Sequence, residues 1–398
     1  MKKTVTEVLD RLCEIGARPP ASDAERAAAN YLAKRFEKLA CKVKFQNFLV
    51  RPAYYYIFAL HFILFLFAIA LSRANSGDGF LLGVAIIISY WGDLLARHHY
   101  IRDIFPRFPS LNLVAKKEVE EPAKRIILVA HIDSGRSGAI YRPFFANELA
   151  KLFKHSLKRH IAPYYYLFIT MLCAEAFMLL RWFIPFGFMP LLFDIALGVC
   201  SLILLAGVLA MLDIGIRGRP VEGANGNASG VAAMTALFES LVASPPPNCE
   251  IWALATGSKM SGMSGMKAFG QKFFDELDPA NTYFINFDHI GAGGLRYVTG
   301  EGWLTIVPYP YEMAIMADEI KNSDDRFSDV APYTIRSGTD GIVPARAGYK
   351  TITLTCLNEN DYPPNYLWET DTREKVNDET VTLAAEFAKK LVERIAEA

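Results

Sequence analysis

The stretch that decides the fold is GANGNASG, Gly223–Gly230, where a loop turns into a helix. Gly223 and Ala224 permit the turn, Asn225 and Gly226 follow, and Asn227 to Gly230 open an apolar helical pattern over 227–243. Other helical patterns cover about 3–16, 22–39, 144–160, 260–276, 309–321 and 378–397. Between them lie short β-rich runs: KVKFQNF (42–48), RIILVAHID (125–133), CEIWALAT (249–256), TYFINFD (282–288) and KTITLTC (350–356). Alternation of this kind implies a three-layer α/β domain with a central mixed, mostly parallel sheet. In such sheets sites form beyond the carboxyl ends of the strands. His131, Gly257 and Asp288 each lie just past one of these ends and are expected to converge.

The 398 residues carry 42 basic and 42 acidic side chains, and this balance gives no electrostatic reason to expect a nucleic-acid partner. Hydrophobic residues make up 52% and aromatic ones 13%, more apolar than is usual for a soluble chain. Six cysteines (Cys13, Cys41, Cys173, Cys200, Cys249 and Cys356) form no CxxC pair and no disulfide spacing, and so read as free thiols in a reducing compartment. The amino-terminal segment MKKTVTEVLDRLCEIGARPP reads as an amphipathic helix, without the apolar core of a signal peptide.

The apolar excess is concentrated in two hairpins, 53–96 and 163–212. In the first, 53–72 carries one ionisable side chain, His61; a six-residue polar turn precedes a second span from 79 that is apolar apart from Asp93. The second pairs about Pro163–Trp182 with Leu191–Leu212. Twenty helical residues rise about 30 Å, the thickness of a hydrocarbon core, so four transmembrane helices are expected. RPAYYY (51–56) and IAPYYY (161–166) open the hairpins with tyrosines suited to the membrane interface. Thirteen Lys and Arg residues flank the long segments: Lys38, Lys42, Lys44, Arg51, Arg97, Arg102, Arg107, Lys151, Lys154, Lys158, Arg159, Arg217 and Arg219. Only Arg73 and Arg181 lie in the short turns, so both termini and the polar segments are expected in the cytoplasm, most simply at a prokaryotic plasma membrane.

With the hairpins set aside, residues 1–52, 97–162 and 213–398 read as one domain, and there a resemblance becomes specific. In order, ARPPASDAERAAANYLAKRFEKLACKV (17–43), LVAHIDS (128–134), GANGNASGVAAMTALFESL (223–241), LATGSKMSGMSGMKAF (254–269), INFDHIG (285–291) and YLWETDT (366–372) resemble the di-zinc aminopeptidases of clan MH, metallopeptidase family M28. The resemblance implies five ligands around two zinc ions and a glutamate that takes a proton from the bridging water. It puts the first ligand on His131, the residue that orients that histidine on Asp133 and a terminal ligand on Asp288. The bridging aspartate falls on Gly226, the general-base glutamate on Lys259, the adjacent ligand glutamate on Met260 and the last histidine on Leu367.

One histidine and one aspartate fall short of the three protein ligands usual for a catalytic zinc. No catalytic residue is therefore expected, and no cofactor beyond a single residual zinc at low occupancy. Lys259 is expected either to pair with Asp288 or Asp133 in place of the missing metal charge, or to point to solvent. Glu222, Asn225, Asn227, Glu369 and Asp371 are the nearby oxygens open to recruitment. His289, next to Asp288, is expected to face away from it by strand alternation. Asn225, Asn227 and Asp340, the last in SGTDGIVP (337–344), are assigned to the pocket, with a turn role for Asp340 equally open.

Within the membrane, Arg181 and Asp194 read as an interfacial pair. Glu175, mid-span, is the one charge without an explanation: bonded to a partner helix, bonded inside the bundle, or protonated against lipid. The leading expectation is an inactive membrane-embedded relative of the aminopeptidases. It would contact bilayer lipid and bind a peptide or protein partner, in an oligomeric state the sequence does not set. The alternatives are an active membrane aminopeptidase with rearranged ligands, and a small transporter or channel subunit using Glu175.

Overall fold

A computed structural model describes residues 1–95, 100–157, 163–184 and 187–397. Arg97, Lys158, Arg159, Ile161 and Ala162, which enter the charge and repeat readings above, lie outside the described residues. The chain opens with helices α1 (Lys2–Ile15) and α2 (Asp23–Glu37), then strand β1 (Lys42–Val50), α3 (Tyr54–Ala74) and α4 (Ser76–Leu94). Strands β2 (Phe108–Lys117) and β3 (Lys124–His131) follow, then α5 (Pro143–Leu157), α6 (Pro163–Phe183), α7 (Met189–Ile216) and α8 (Ser229–Ala243). The last half holds β4 (Cys249–Thr256), α9 (Ser264–Phe273), β5 (Thr282–Phe287), β6 (Gly294–Glu301), β7 (Val307–Pro308) and α10 (Tyr311–Ser323). It ends with β8 (Ala331–Ile335), α11 (Ile342–Arg346), β9 (Lys350–Leu357) and α12 (Asp378–Glu397).

The strands form one mixed sheet in the order β1-β2-β4-β3-β5-β9-β6-β7, with β8 on β6. The four central strands, β4-β3-β5-β9, are parallel, as alternation of helix and strand implies. Period-two side-chain alternation divides the core into two layers. Ile126, Leu128 and Ala130 of β3 face α1, α2, α8 and α12, while Ile127 and Val129 face Trp252, Phe269, Phe284 and Tyr349 on the α9 side. Central strands buried on both faces explain why RIILVAHID reads as a continuous apolar run.

Four helices, α3, α4, α6 and α7, are long and apolar enough to cross a membrane. They pack on one another through Phe62, Phe65, Met171, Leu197 and Leu204, and expose an outer apolar surface that includes Phe67, Leu81, Val199, Leu202 and Leu209. The first hairpin differs from expectation at its turn. The six polar residues do not form a loop: helix occupies all of them except Asn75. The Asn75 side chain accepts hydrogen bonds from the Gly77 and Asp78 backbone NH groups and so caps α4 at once. Helix α7 also runs four residues past the expected end, to Ile216. Arg181 and Asp194 form an ion pair at 3.0 Å between α6 and α7.

Candidate functional site

The parallel strands β3 and β5 bring His131 and Asp288 together at their carboxyl ends, with His131 Nε2 3.7 Å from Asp288 Oδ1. Asp133 fixes this corner from behind. Its carbonyl accepts from His131 Nδ1 at 2.9 Å, and its carboxylate accepts from the backbone NH groups of Lys259 and Met260, both at 2.9 Å. Those amides belong to a tight turn entered through Ser258, which adopts left-handed backbone angles at φ 54°. The turn carries the Lys259 side chain over the floor of the site, where Nζ lies 2.9 Å from Asp288 Oδ2 with both side chains buried.

The electrostatics are those of a closed charge cluster. Burial alone would raise Asp288, but Lys259, aided by His289 and His131, holds its carboxyl well below the usual carboxylate range. Burial works against the Lys259 ammonium too, and Asp288 outweighs it, holding the lysine above its ordinary value. For His131, burial and Lys259 act downward; the hydrogen bonds to Asp133 and Asp288 prevail and raise it to about 9. His289 is pushed down by burial.

His289 corrects an expectation. Strand β5 stops at Phe287, so alternation no longer governs residue 289, and His289 sits in left-handed backbone at φ 57°. Its ring turns into the site and its Nδ1 hydrogen-bonds Asp288 Oδ1. Its Nε2 lies 2.6 Å from where a Cβ on Gly226 would stand, so the imidazole fills the space of the side chain that Gly226 lacks. Met260 and Leu367 fill a neighbouring gap: a Cβ on Gly135 would lie 2.2 Å from Leu367 Cδ2 and 3.0 Å from Met260 Cε.

Of the other oxygens near the loop, Glu369 is exposed, and Asp371, Glu222, Asn225 and Asn227 are engaged in holding backbone. Asp371 accepts from the Asn225 NH at 2.6 Å and the Gly226 NH at 3.1 Å, and burial raises it to about 7. Glu222 accepts from the Arg373 NH at 2.9 Å. Asn225 bridges Pro364 O and the Gly291 NH, and Asn227 bridges Phe287 O and the NH groups of Gly230 and His289. Both asparagines are thus staples that shape the loop, and neither lines the cavity. Asp340 lies beneath the floor, where it accepts from Thr256 Oγ1, and burial raises it to about 6.

Two buried glutamates escape the sequence reading. Glu25 accepts from Ser258 NH at 2.7 Å and Ser110 Oγ at 2.8 Å, so it supports the Lys259 turn from below; burial raises it to about 7. Its signal was present: Ser22-Asp-Ala-Glu25 is a capping-box pattern, and Ser22 does cap α2. Glu301 binds Tyr309 OH and both the NH and Oγ1 of Thr339, and burial raises it to about 8. No local pattern marks it.

A cavity of about 190 Å³ opens above Lys259, Asp288 and His289. Tyr141, Tyr164, Trp303 and Tyr366 supply its aromatic walls, Arg336 and Thr339 one side, and Ala146, Leu149 and Ala150 of α5 another. A second cavity of about 100 Å³ shares Lys259 and the same four aromatics, and reaches Tyr54 and Phe58 of α3 and Asp93 of α4. The Tyr141 and Tyr164 hydroxyls lie 3.1 Å apart, which joins the loop before α5 to the start of α6.

The donor set does not fit the zinc pair that the resemblance implies. Among the described residues no group of three or more His, Cys, Asp or Glu side chains is arranged to hold a metal ion. Lys259 places a cation within 2.9 Å of the one aspartate in position to serve as a ligand. Gly226, Met260 and Leu367 offer a metal no hard oxygen or imidazole donor.

Sheet order, the strand-end site and the helix opened by GANGNASG define an α/β domain of the zinc-aminopeptidase type. Solved structures agree at the level of fold. A leucine aminopeptidase precursor from Bacteroides thetaiotaomicron is 13% identical with a TM-score of 0.56, covering 99% of this chain and 97% of its own. A glutaminyl cyclase from Porphyromonas gingivalis is 11% identical with a TM-score of 0.58, over 99% and 98%. A zinc aminopeptidase from Bacillus subtilis is 14% identical with a TM-score of 0.56, over 99% and 94%. No curated protein matches the chain. The model of peptidase family M28 matches residues 208–392 of this chain.

Proposed function

We propose that this protein is a membrane-embedded, catalytically inactive member of family M28 whose domain binds a peptide or a segment of a partner protein. The observation that carries this reading is the 2.9 Å ion pair between Lys259 and Asp288. It sets an ammonium where the family's chemistry needs a carboxylate base, and it neutralises the aspartate that a zinc would otherwise use. An ammonium held above its ordinary value is neither a base nor a metal ligand. The cavity above the pair has the size and aromatic walls to receive one side chain of a bound segment, which is what remains when chemistry is removed from a substrate pocket.

The four apolar helices support a place in the membrane, and the distribution of Lys and Arg supports a cytoplasmic domain. The test is metal analysis of the purified full-length protein together with an aminopeptidase substrate panel. The expected result is substoichiometric zinc and no turnover. Near-stoichiometric zinc, with activity abolished in His131→Ala, would overturn the proposal in favour of an active enzyme with rearranged ligands.

A further inference from the structure

Glu175 plays no part in the reading above. It lies just past the middle of α6, on the stripe facing the bundle, where Met171, Ala174 and Met178 are fully buried and Glu175 itself is 8% exposed. Helix α4 meets it with Gly79-Phe-Leu-Leu-Gly83, two small residues four apart of the kind that lets membrane helices approach closely. Gly79 lies against Ser72 of α3 and Gly83 against Glu175. A Cβ on Gly83 would fall 2.1 Å from Glu175 Oε2 and 3.0 Å from Met178 Cε, so the carboxyl occupies the notch that the glycine leaves.

Neither carboxyl oxygen has a hydrogen-bond partner among the described residues. The other ionisable groups of the bundle are engaged or distant. His61 bonds Ile57 O and Ser89 Oγ, Asp93 pairs with Arg102, and Arg181 pairs with Asp194. Arg73 and Asp78 are exposed at the turn between α3 and α4. Burial against α4 removes two roles open to such a residue, facing lipid or binding a partner helix. What remains is a carboxyl enclosed by apolar side chains with no donor and no counter-charge among the described residues. The ionised form is strongly disfavoured there and the neutral acid is tolerated.

We propose that Glu175 is a proton-binding site within the membrane bundle. Its ligand is a single proton taken from water: carboxylate and proton combine to the neutral acid, which the Gly83 notch holds between α4 and α6. Loss of the proton would drive the charge out of the notch and part the two hairpins at this contact. The inference is independent of whether the M28 domain is catalytic.

The test uses the full-length protein in lipid nanodiscs at neutral pH. Dicyclohexylcarbodiimide, which partitions into hydrocarbon and attacks protonated carboxyls, should give an N-acylurea on the α6 peptide at Glu175, while a water-soluble carbodiimide leaves it unmodified. Infrared difference spectra of wild type against Glu175→Gln should show loss of a carbonyl band from a neutral, weakly hydrogen-bonded acid. Carboxylate bands in that difference, no labelling of Glu175 by the hydrophobic reagent, or equal labelling by the soluble one would overturn the proposal. Labelling of the wild type decides the matter should the variant fail to fold.

Discussion

Replacing Lys259 by methionine keeps the length and apolar stem of the side chain and removes only the charge that faces Asp288. At 2.9 Å the attraction between the two charges is roughly 6 kcal/mol for an effective dielectric of about 20, most of it offset by the cost of burying both. Removing one partner leaves the other charge buried, for which losses of about 3–5 kcal/mol are typical. Here His131 and His289 still face Asp288, so the expected loss is at the lower end, about 3 kcal/mol. For a domain of about 300 residues, with an unfolding entropy of about 0.6 kcal/mol/K, that lowers Tm by roughly 5 °C. The assay is thermal unfolding of the purified protein in nanodiscs at pH 7. Lys259→Met combined with Asp288→Asn should recover much of the loss, because the stranded charge is then gone. An unchanged Tm in Lys259→Met, or a double variant no better than the single one, would refute a charge pair at the floor of the site.

Stability should fall as pH rises from about 5 to about 8, read as Tm across buffers, with His289 and Lys267, both lowered by burial, acting in the opposite direction and flattening the upper end. His131 (about 9), Glu301 (about 8), Asp371 and Glu25 (each about 7) and Asp340 (about 6) are all raised in the folded protein. The folded state therefore holds their protons more tightly than the unfolded state, and what they contribute is present at low pH and lost on titration; a flat or rising profile would contradict this. Asp288 has the opposite sign, depressed in the folded protein, and adds a separate loss only in strong acid, below about pH 4. Gly226→Asp should cost about 1–3 kcal/mol without creating zinc affinity, because its Cβ enters the space of the His289 ring; calorimetry and metal analysis check both halves. In a cysteine-free background, a cysteine at exposed Asp78 should be labelled from outside intact cells and one at exposed Glu14 should not, and the reverse pattern would invert the orientation.

The parallel centre of the sheet was legible because its strands are buried on both faces and carry unbroken β-branched and apolar runs. Strands β2, β6, β7 and β8 were not, since they are short, polar or edge-side antiparallel strands that owe their existence to partners distant in the chain, as Leu113 of β2 pairs with Ala255 and Arg296 of β6 with Ala331 and Thr355. The hairpins were plain from hydropathy, yet the turn at Asn75 was not, because a single capping side chain did the work assigned to a loop. At the site, charge alone left Lys259 to pair with Asp288, to pair with Asp133 or to face solvent, and the fold around the Ser258 turn selects Asp288. The inward turn of His289 was not legible, since its direction depends on where β5 ends, one residue before Asp288. Glu301 was beyond reach because its partner Thr339 lies 38 positions along the chain.

The two apolar helical hairpins leave and rejoin the domain at paired points. Strands β1 and β2 are in register up to Val50 opposite Phe108, and Arg136 bridges Pro220. A designer could therefore excise residues 51–107 and 137–219, close each gap with a short turn, and keep every strand of the sheet. The product would be water-soluble but would have no roof over its chamber, because Tyr54, Tyr141, Tyr164 and α5 depart with the excised pieces. Lys259 and Asp288 would then meet in water, where such pairs are worth about 0–1 kcal/mol. On the proposed membrane placement the anchor and the lid are the same piece of chain, so whatever tilts the four apolar helices also changes the shape of the chamber.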